Sequence, residues 1–199
     1  MSNPFNKIIV IDLEATCWEN KEYQQVASEI IEIGACELDI KSGDITNSRS
    51  IYVTPTNLSR DKNGDTYQYP IISDYCTNLT GITRSMLLKQ GKSFKGAIEE
   101  LQKYYAVSRT WMSWGRYDME MLDHQCMVEN VNYPFKYGNH INLKNLFGLV
   151  RKDTKGIGMK KACELLDITM VGNHHSGKDD AYNTGQIARK ILKLMEWLK

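Results

Sequence analysis

The 199 residues carry 25 Lys and Arg against 24 Asp and Glu, a formal net charge of +1, with 42% hydrophobic and 25% charged residues. This balance excludes a disordered chain and a generally basic nucleic-acid coat, so any contact with a polyanion must be local. No apolar run approaches the roughly 20 residues of a membrane helix, and the N-terminal apolar stretch is too short for a secretory signal, so a soluble, intracellular and cytoplasmic protein of one domain over residues 1–199 is expected.

Ile8-Ile9-Val10-Ile11 is a short β-branched run, as expected for a strand buried on both faces. Residues 29–38 and 48–53 read as two more strands, with hairpin turn chemistry at Lys41-Ser42-Gly43-Asp44 between them. From Thr54 to Thr77 the composition shifts to Pro, Asn, Asp, Gly and Ser, which marks an irregular connection. Within it Asp61-Lys62-Asn63-Gly64-Asp65 faintly resembles a calcium loop, but Gly64 comes too early and Ile72 stands where the bidentate Glu belongs. It is read as a plain loop.

Helical patterns follow. Phe94, Ala97, Ile98, Leu101, Tyr104 and Tyr105 share a face behind a Ser93 cap. Trp111 to Trp114 reads as a short strand ended by Gly115, 119–128 as a helix, and His140-Ile141-Asn142 as a fifth strand. Residues 143–150 and 159–166 read as short helices. Ala181, Ala188, Ile191, Leu192, Met195 and Leu198 form the stripe of a last one. An antiparallel meander followed by alternating helices and strands implies an α/β layer fold on a mixed sheet. The five cysteines, Cys17, Cys36, Cys76, Cys126 and Cys163, are scattered and lack C-x-x-C spacing, which argues against disulfides or structural zinc.

Asp12 and Glu14 lie two apart, so on a strand both carboxylates point to one face. Like charges held together in a partly dry place repel, and a bound cation, a shared proton or plain exposure must relieve them. For an isolated D-x-E, exposure is the commoner answer. Asp118 follows the fourth strand, where its ordinary role is a helix cap but where ligands also gather in α/β sheets. Asp180 opens the last helix, where an acid is favourable anyway, with His175 five residues ahead. Taken together these acids form a far less accidental set. Gly172 to Asp179 also matches a phosphate loop up to its last position, where Asp179 replaces the metal-binding hydroxyl. Helix-like residues precede it, although residues 168–171 allow a short strand. The phosphate-loop reading is set aside.

Ile11-Asp12-Leu13-Glu14-Ala15-Thr16-Cys17, Asp118, and His175 through Asp180 resemble, in order, the motifs of the DEDDh 3′–5′ exonucleases of the ribonuclease-H-like superfamily. Glu14-Ala15-Thr16-Cys17 and Leu79-Thr80-Gly81-Ile82-Thr83 are similar to the branch of histone-mRNA 3′-end exonucleases and small-RNA-trimming relatives. The resemblance implies a three-layer fold on a five-stranded mixed sheet. It also implies Asp12, Glu14, Asp118 and Asp180 as metal ligands and His175 as general base. His174 is out of phase with Asp180, though it has the same spacing to Asp179.

On that reading two Mg²⁺ ions (or Mn²⁺), about 3.5–4 Å apart, serve the attacking water and the leaving oxygen. Asp12 would bridge them, Glu14 and Asp180 would complete one shell, and Asp118 would act directly or through water. The terminal nucleotide would be held at Ala15, Thr16, Ile82 and Tyr117. Tyr117 would stack on any base; its ordinary alternative is a core tyrosine. The expected partner is nucleic acid, RNA before DNA, with no membrane. A proofreading-type exodeoxyribonuclease, a non-catalytic nucleic-acid-binding module and a polymerase-like metal site are the other readings.

Overall fold

The computed structural model describes residues 6–19, 28–55, 72–107, 110–153 and 155–195. The calcium-like segment at 61–65 and Leu198 lie outside them. Among the described residues five strands form one sheet: β1 (Lys7–Ala15), β2 (Ile30–Asp39), β3 (Ile45–Tyr52), β4 (Trp111–Ser113) and β5 (His140–Asn142), in the order β3-β2-β1-β4-β5. β1, β2 and β3 pair antiparallel, whereas β4 runs parallel to both β1 and β5. This is the mixed sheet that the alternation of elements predicts.

Period-2 alternation divides the core between the two faces of the sheet. Ile9, Ile11 and Leu13 pack with Ile33, Ile51 and Trp111 against α3 (Phe94–Tyr104) and α4 (Tyr117–Val128). Val10, Cys36, Leu38 and Met112 face the other way. They are covered by α5 (Leu143–Val150), α6 (Met159–Leu165) and α7 (Gly177–Leu194). The result is a three-layer α/β/α arrangement with β1 near its middle. Each large apolar side chain buried this way contributes about 1.5–3 kcal/mol. Among the described residues no helix is long and apolar enough to cross a membrane, and all five cysteines are free, four of them buried.

The structure differs from the sequence reading in three places. Two seven-residue helices, α1 (Asp74–Thr80) and α2 (Arg84–Gln90), stand where an irregular connection and its sequel were expected. Ser73 and Thr83 cap them by accepting from the N–H of Cys76 and Met86, and Gly81 ends α1 in the left-handed conformation. Residues 168–171 form no strand. Finally, β1 runs past the Ile8–Ile11 segment to Ala15 because β2 pairs with it along its length, so Asp12 and Glu14 lie within the strand, on one face as their spacing implies.

Candidate active site

Asp12 and Glu14 point to the α7 face of β1, just past Val10. Glu14 is 8% exposed and Asp180, from the first turn of α7, is 3% exposed. One carboxylate oxygen from each of Asp12, Glu14 and Asp180 lies within 4.8 Å of the other two, a group that could hold a metal ion. Asp180 accepts the His175 N–H at 2.9 Å and pairs with Nδ1 of His174 at 2.8 Å, both through Oδ2. Its Oδ1 is buried and finds no hydrogen-bond partner among the described residues. A buried carboxylate oxygen without a donor is costly, and a cation shared with Asp12 and Glu14 would satisfy it. The residues therefore fit a hard divalent ion, which takes oxygen ligands.

Asp118 approaches from the other side of β1. The register of β4 on β1 stops at Val10–Met112, and Asp118 Oδ1 accepts the N–H of Leu13 at 3.0 Å. It lies in the first turn of α4 and is not its cap, which is Arg116. Asp118 falls outside the close triplet but acts on it electrostatically. Burial, then the charges of Asp118, Asp180, Glu14 and Glu32, hold Asp12 well above the usual carboxylate range. Burial and the neighbouring Glu32, Asp180 and Asp118 push Glu14 up to about 8. Burial also raises Asp118, to about 6, against the opposing hydrogen bonds from Leu13 and Ser113. Crowded acids raised together are the signature of a site built for positive charge.

The two histidines divide the neighbourhood of Asp180. Their rings stack with centroids 4.0 Å apart, and both rings together with Asp180 form a second group that could hold a metal ion. His174 makes the side-chain hydrogen bond, whereas His175 gives its backbone N–H and sits at φ +67°, a strained conformation for a residue with a Cβ. Burial, then the adjacent His174, lowers the pKa of His175, with Asp180 opposing. The phosphate-loop reading fails on geometry. The carboxylate of Asp179 folds back onto the loop, accepting the N–H of Asn173 at 3.0 Å, and a Cβ on Gly172 would lie 2.1 Å from its Oδ2. The loop already holds an anion of its own.

Of the four expected nucleotide-contact positions, Tyr117 alone offers a broad open face, at 55% exposed. Ala15 closes the end of β1, 9% exposed. Thr16 is buried, with its hydroxyl accepting the Glu29 N–H at 2.9 Å. Ile82 is 2% exposed and packs with Ile31, Cys76 and Leu87, so its side chain belongs to the core. The sequence reading passed over Glu32, which is 1% exposed and accepts the N–H of Gly177 at 2.9 Å and of Lys178 at 3.2 Å. An acid inside Ile30-Ile31-Glu32-Ile33, in a strand buried along nearly its whole length, was the available signal.

Comparison with known proteins agrees with this geometry. The family model described as Exonuclease (RNase_T) matches residues 9–188. ERI1 exoribonuclease 2 of Xenopus laevis is 28% identical over 210 residues, covering 94% of this chain but 28% of that protein. The chain thus spans less than a third of that relative's length. Probable 3′-5′ exonuclease KapD of Bacillus subtilis is 29% identical over 198 residues, covering 96% of this chain and 85% of that protein. The crystal structure of the nuclease domain of 3′hExo, a DEDDh family member, bound to rAMP, superimposes with a TM-score of 0.78 at 26% identity. It covers 95% of this chain and 92% of that one. The family match runs through the strand and both helices that carry the acids, and the chain belongs to the Exonuclease (RNase_T) family.

Proposed function

We propose that this chain is a divalent-metal-dependent 3′–5′ exonuclease that hydrolyses phosphodiester bonds from the 3′ end of RNA, releasing 5′-mononucleotides, and that residues 1–199 act as one exonuclease domain. The observation that carries the reading is the convergence of Asp12, Glu14 and Asp180, with a buried Asp180 Oδ1 that has no hydrogen-bond partner among the described residues. Three segments far apart in the chain supply acids whose crowding is tolerable with cations bound. The RNA preference is supported by relatives named exoribonucleases and by the rAMP bound to the 3′hExo nuclease domain.

Asp12, Glu14 and Asp180 would hold Mg²⁺ or Mn²⁺, with Asp118 contributing directly or through water. A metal bound there would supply an activated water and charge stabilisation for the departing oxygen. The chain's own residues do the rest. His175, whose pKa is lowered by burial, is neutral at and above neutral pH and accepts the proton of the attacking water. His174 holds Asp180 Oδ2 through Nδ1, while Oδ1 has no hydrogen-bond partner among the described residues. Tyr117, beside Asp118 and exposed, offers a ring on which the terminal base stacks whatever its identity.

The decisive experiment uses labelled RNA and DNA oligonucleotides, each blocked at the 5′ or the 3′ end, with Mg²⁺, with Mn²⁺ or with EDTA. The reading expects stepwise shortening of RNA only where the 3′ end is free and only with metal. Cleavage that persists in EDTA, or that begins at the 5′ end, would overturn it. Faster digestion of DNA would reassign the substrate.

A further inference from the structure

We infer that Glu32 is a positioning residue of this site: by clamping the first turn of α7 onto β2, it fixes where Asp180 meets Asp12 and Glu14. The inference rests on the reading of those acids as a cation site. Glu32 pairs with Glu14 in the β1–β2 register, and Gly34 pairs with Asp12. Directly paired residues share a face of the sheet, so Glu32 lies beside the acids on the side that α7 covers.

Both oxygens of Glu32 are occupied. Oε2 accepts the N–H of Gly177, while Oε1 accepts the N–H of Lys178 at 3.2 Å and the hydroxyl of Ser50 at 2.6 Å. The first N–H groups of a helix have no partner within it, and here a carboxylate from the sheet takes two of them. Glu32 is thereby occupied as a clamp and lies outside the group of acids that could hold a metal ion. Two glycines let the backbones meet. A Cβ on Gly34 would lie 1.8 Å from the carbonyl carbon of Gly177, and a Cβ on Gly177 would lie 3.1 Å from the carbonyl oxygen of Asp12.

Glycine contact sets how close α7 comes to the sheet, and the Glu32 hydrogen bonds set its rotation and its slide along the axis. Asp180 stands three residues beyond Gly177, one helical turn away. A small rotation of that turn therefore moves the Asp180 carboxylate against Asp12 and Glu14. Ser50 from β3 holds the Glu32 side chain from behind. An additional acid among acids raises the electrostatic cost of the site, and a positional role accounts for its presence.

Glu32→Gln tests this, because the amide fills the same volume but turns an NH₂ toward one of the backbone N–H groups. Expected is a folded protein with weaker Mn²⁺ binding, read by titration without substrate, and with kcat lower by ~10–100-fold. KM for a short RNA should stay within about threefold, since the loss falls on the reacting end of the substrate. Glu32→Asp, which keeps the charge but retracts it, should recover part of kcat. A folded Glu32→Gln protein with native Mn²⁺ affinity and kcat would overturn the inference. So would a deficit confined to KM, or one that vanishes when rates are taken per folded molecule at low temperature. If Glu32→Gln does not fold, a folded Glu32→Asp protein with native kcat and native Mn²⁺ affinity would overturn it equally. A wild-type protein that neither binds Mn²⁺ nor cleaves RNA would instead remove the cation-site reading beneath it.

Discussion

On one face of β1, Ile9, Ile11 and Leu13 are all buried under α3 and α4; on the other, Val10 is buried under α7 but Asp12 and Glu14 follow it. Both faces are made by the same nine residues with the same pleat. The first face is apolar from Ile9 to Ala15, after Lys7 at its start, and burial stabilises it. The second changes from apolar to acidic where the first turn of α7 arrives. Alternation by two thus lets one strand carry a core on one face and the acids on the other, and the register with β2 shifts only after Glu14. The apolar face offsets the electrostatic cost of the acidic one.

Single substitutions on the two faces should separate these roles most sharply. Asp12→Ala should lower kcat on the order of 10²–10³-fold or more, the scale for removing a preorganised electrostatic group. Its melting temperature in EDTA should hold or rise, because repulsion is relieved. Ile11→Ala should do the reverse, costing about 2–5 kcal/mol of stability while the rate per folded molecule stays within a few-fold. Thermal melts beside single-turnover rates would show both. An active Asp12→Ala protein, or one as unstable as Ile11→Ala, would break the contrast between the faces.

On the acidic face the next largest effect belongs to a histidine. His175→Ala should slow cleavage by ~10²-fold or more, the lower range for general base catalysis. His174→Ala should cost about tenfold, the lower edge for a residue that orients a ligand. The structure gives this test an edge, because His174 holds the side-chain hydrogen bond to Asp180. The reverse order would make His174 the proton acceptor, and equal losses would overturn the assignment to His175.

Much of this contrast was legible in the chain. Period two puts Asp12 and Glu14 on one face, and the H-x-x-x-x-D spacing points to Asp180 at the start of a helix. The seven-residue α1 and α2 were not legible, since helices that short carry little amphipathic period and rest on the Ser73 and Thr83 caps. Nor was Glu32, whose role needs both the β1–β2 register and a helix 145 residues away. Residue spacing points to His175, but it does not show that at a left-handed φ the backbone N–H of His175 donates to Asp180. Residue counting captures local geometry; docking between distant segments escapes it.

The two faces should also respond differently to pH. Glu14 is raised to about 8 by burial and its acidic neighbours, so between about 4.5 and 8 the folded protein holds a proton that the unfolded chain has released. Stability from this source is present below the lower value and is lost as pH rises through the upper one. Asp12 and Asp118 are also raised and act with the same sign. His175, lowered, opposes them only below the ordinary histidine range. In EDTA, stability should therefore fall from pH 6.5 to 8.5 by one to a few kcal/mol, since each tenfold difference in proton affinity is about 1.4 kcal/mol. Saturating Mg²⁺ should remove the fall, because bound cations take the place of the protons. Glu14→Gln should flatten the EDTA profile and Ile11→Ala should not. A metal-free wild-type protein with a level profile over that range would show that the acids do not crowd.

The smallest effect is expected of Tyr117, which is exposed beside Asp118 and buried by neither face. Tyr117→Ala should leave the melting temperature within a degree or two and raise KM for a short RNA by roughly tenfold, since stacking one base contributes about 1–3 kcal/mol. Tyr117→Phe should restore KM, because the stacking face is the ring and the hydroxyl takes no part. Ile82→Ala provides the opposite case: its side chain lies in the cluster with Ile31, Cys76 and Leu87, so the loss should appear in stability before it appears in KM. If Tyr117→Ala leaves KM unchanged while Ile82→Ala raises it in a protein of native stability, the base is held from the α1–α2 side of β1, and the exposed ring at the start of α4 is surface alone.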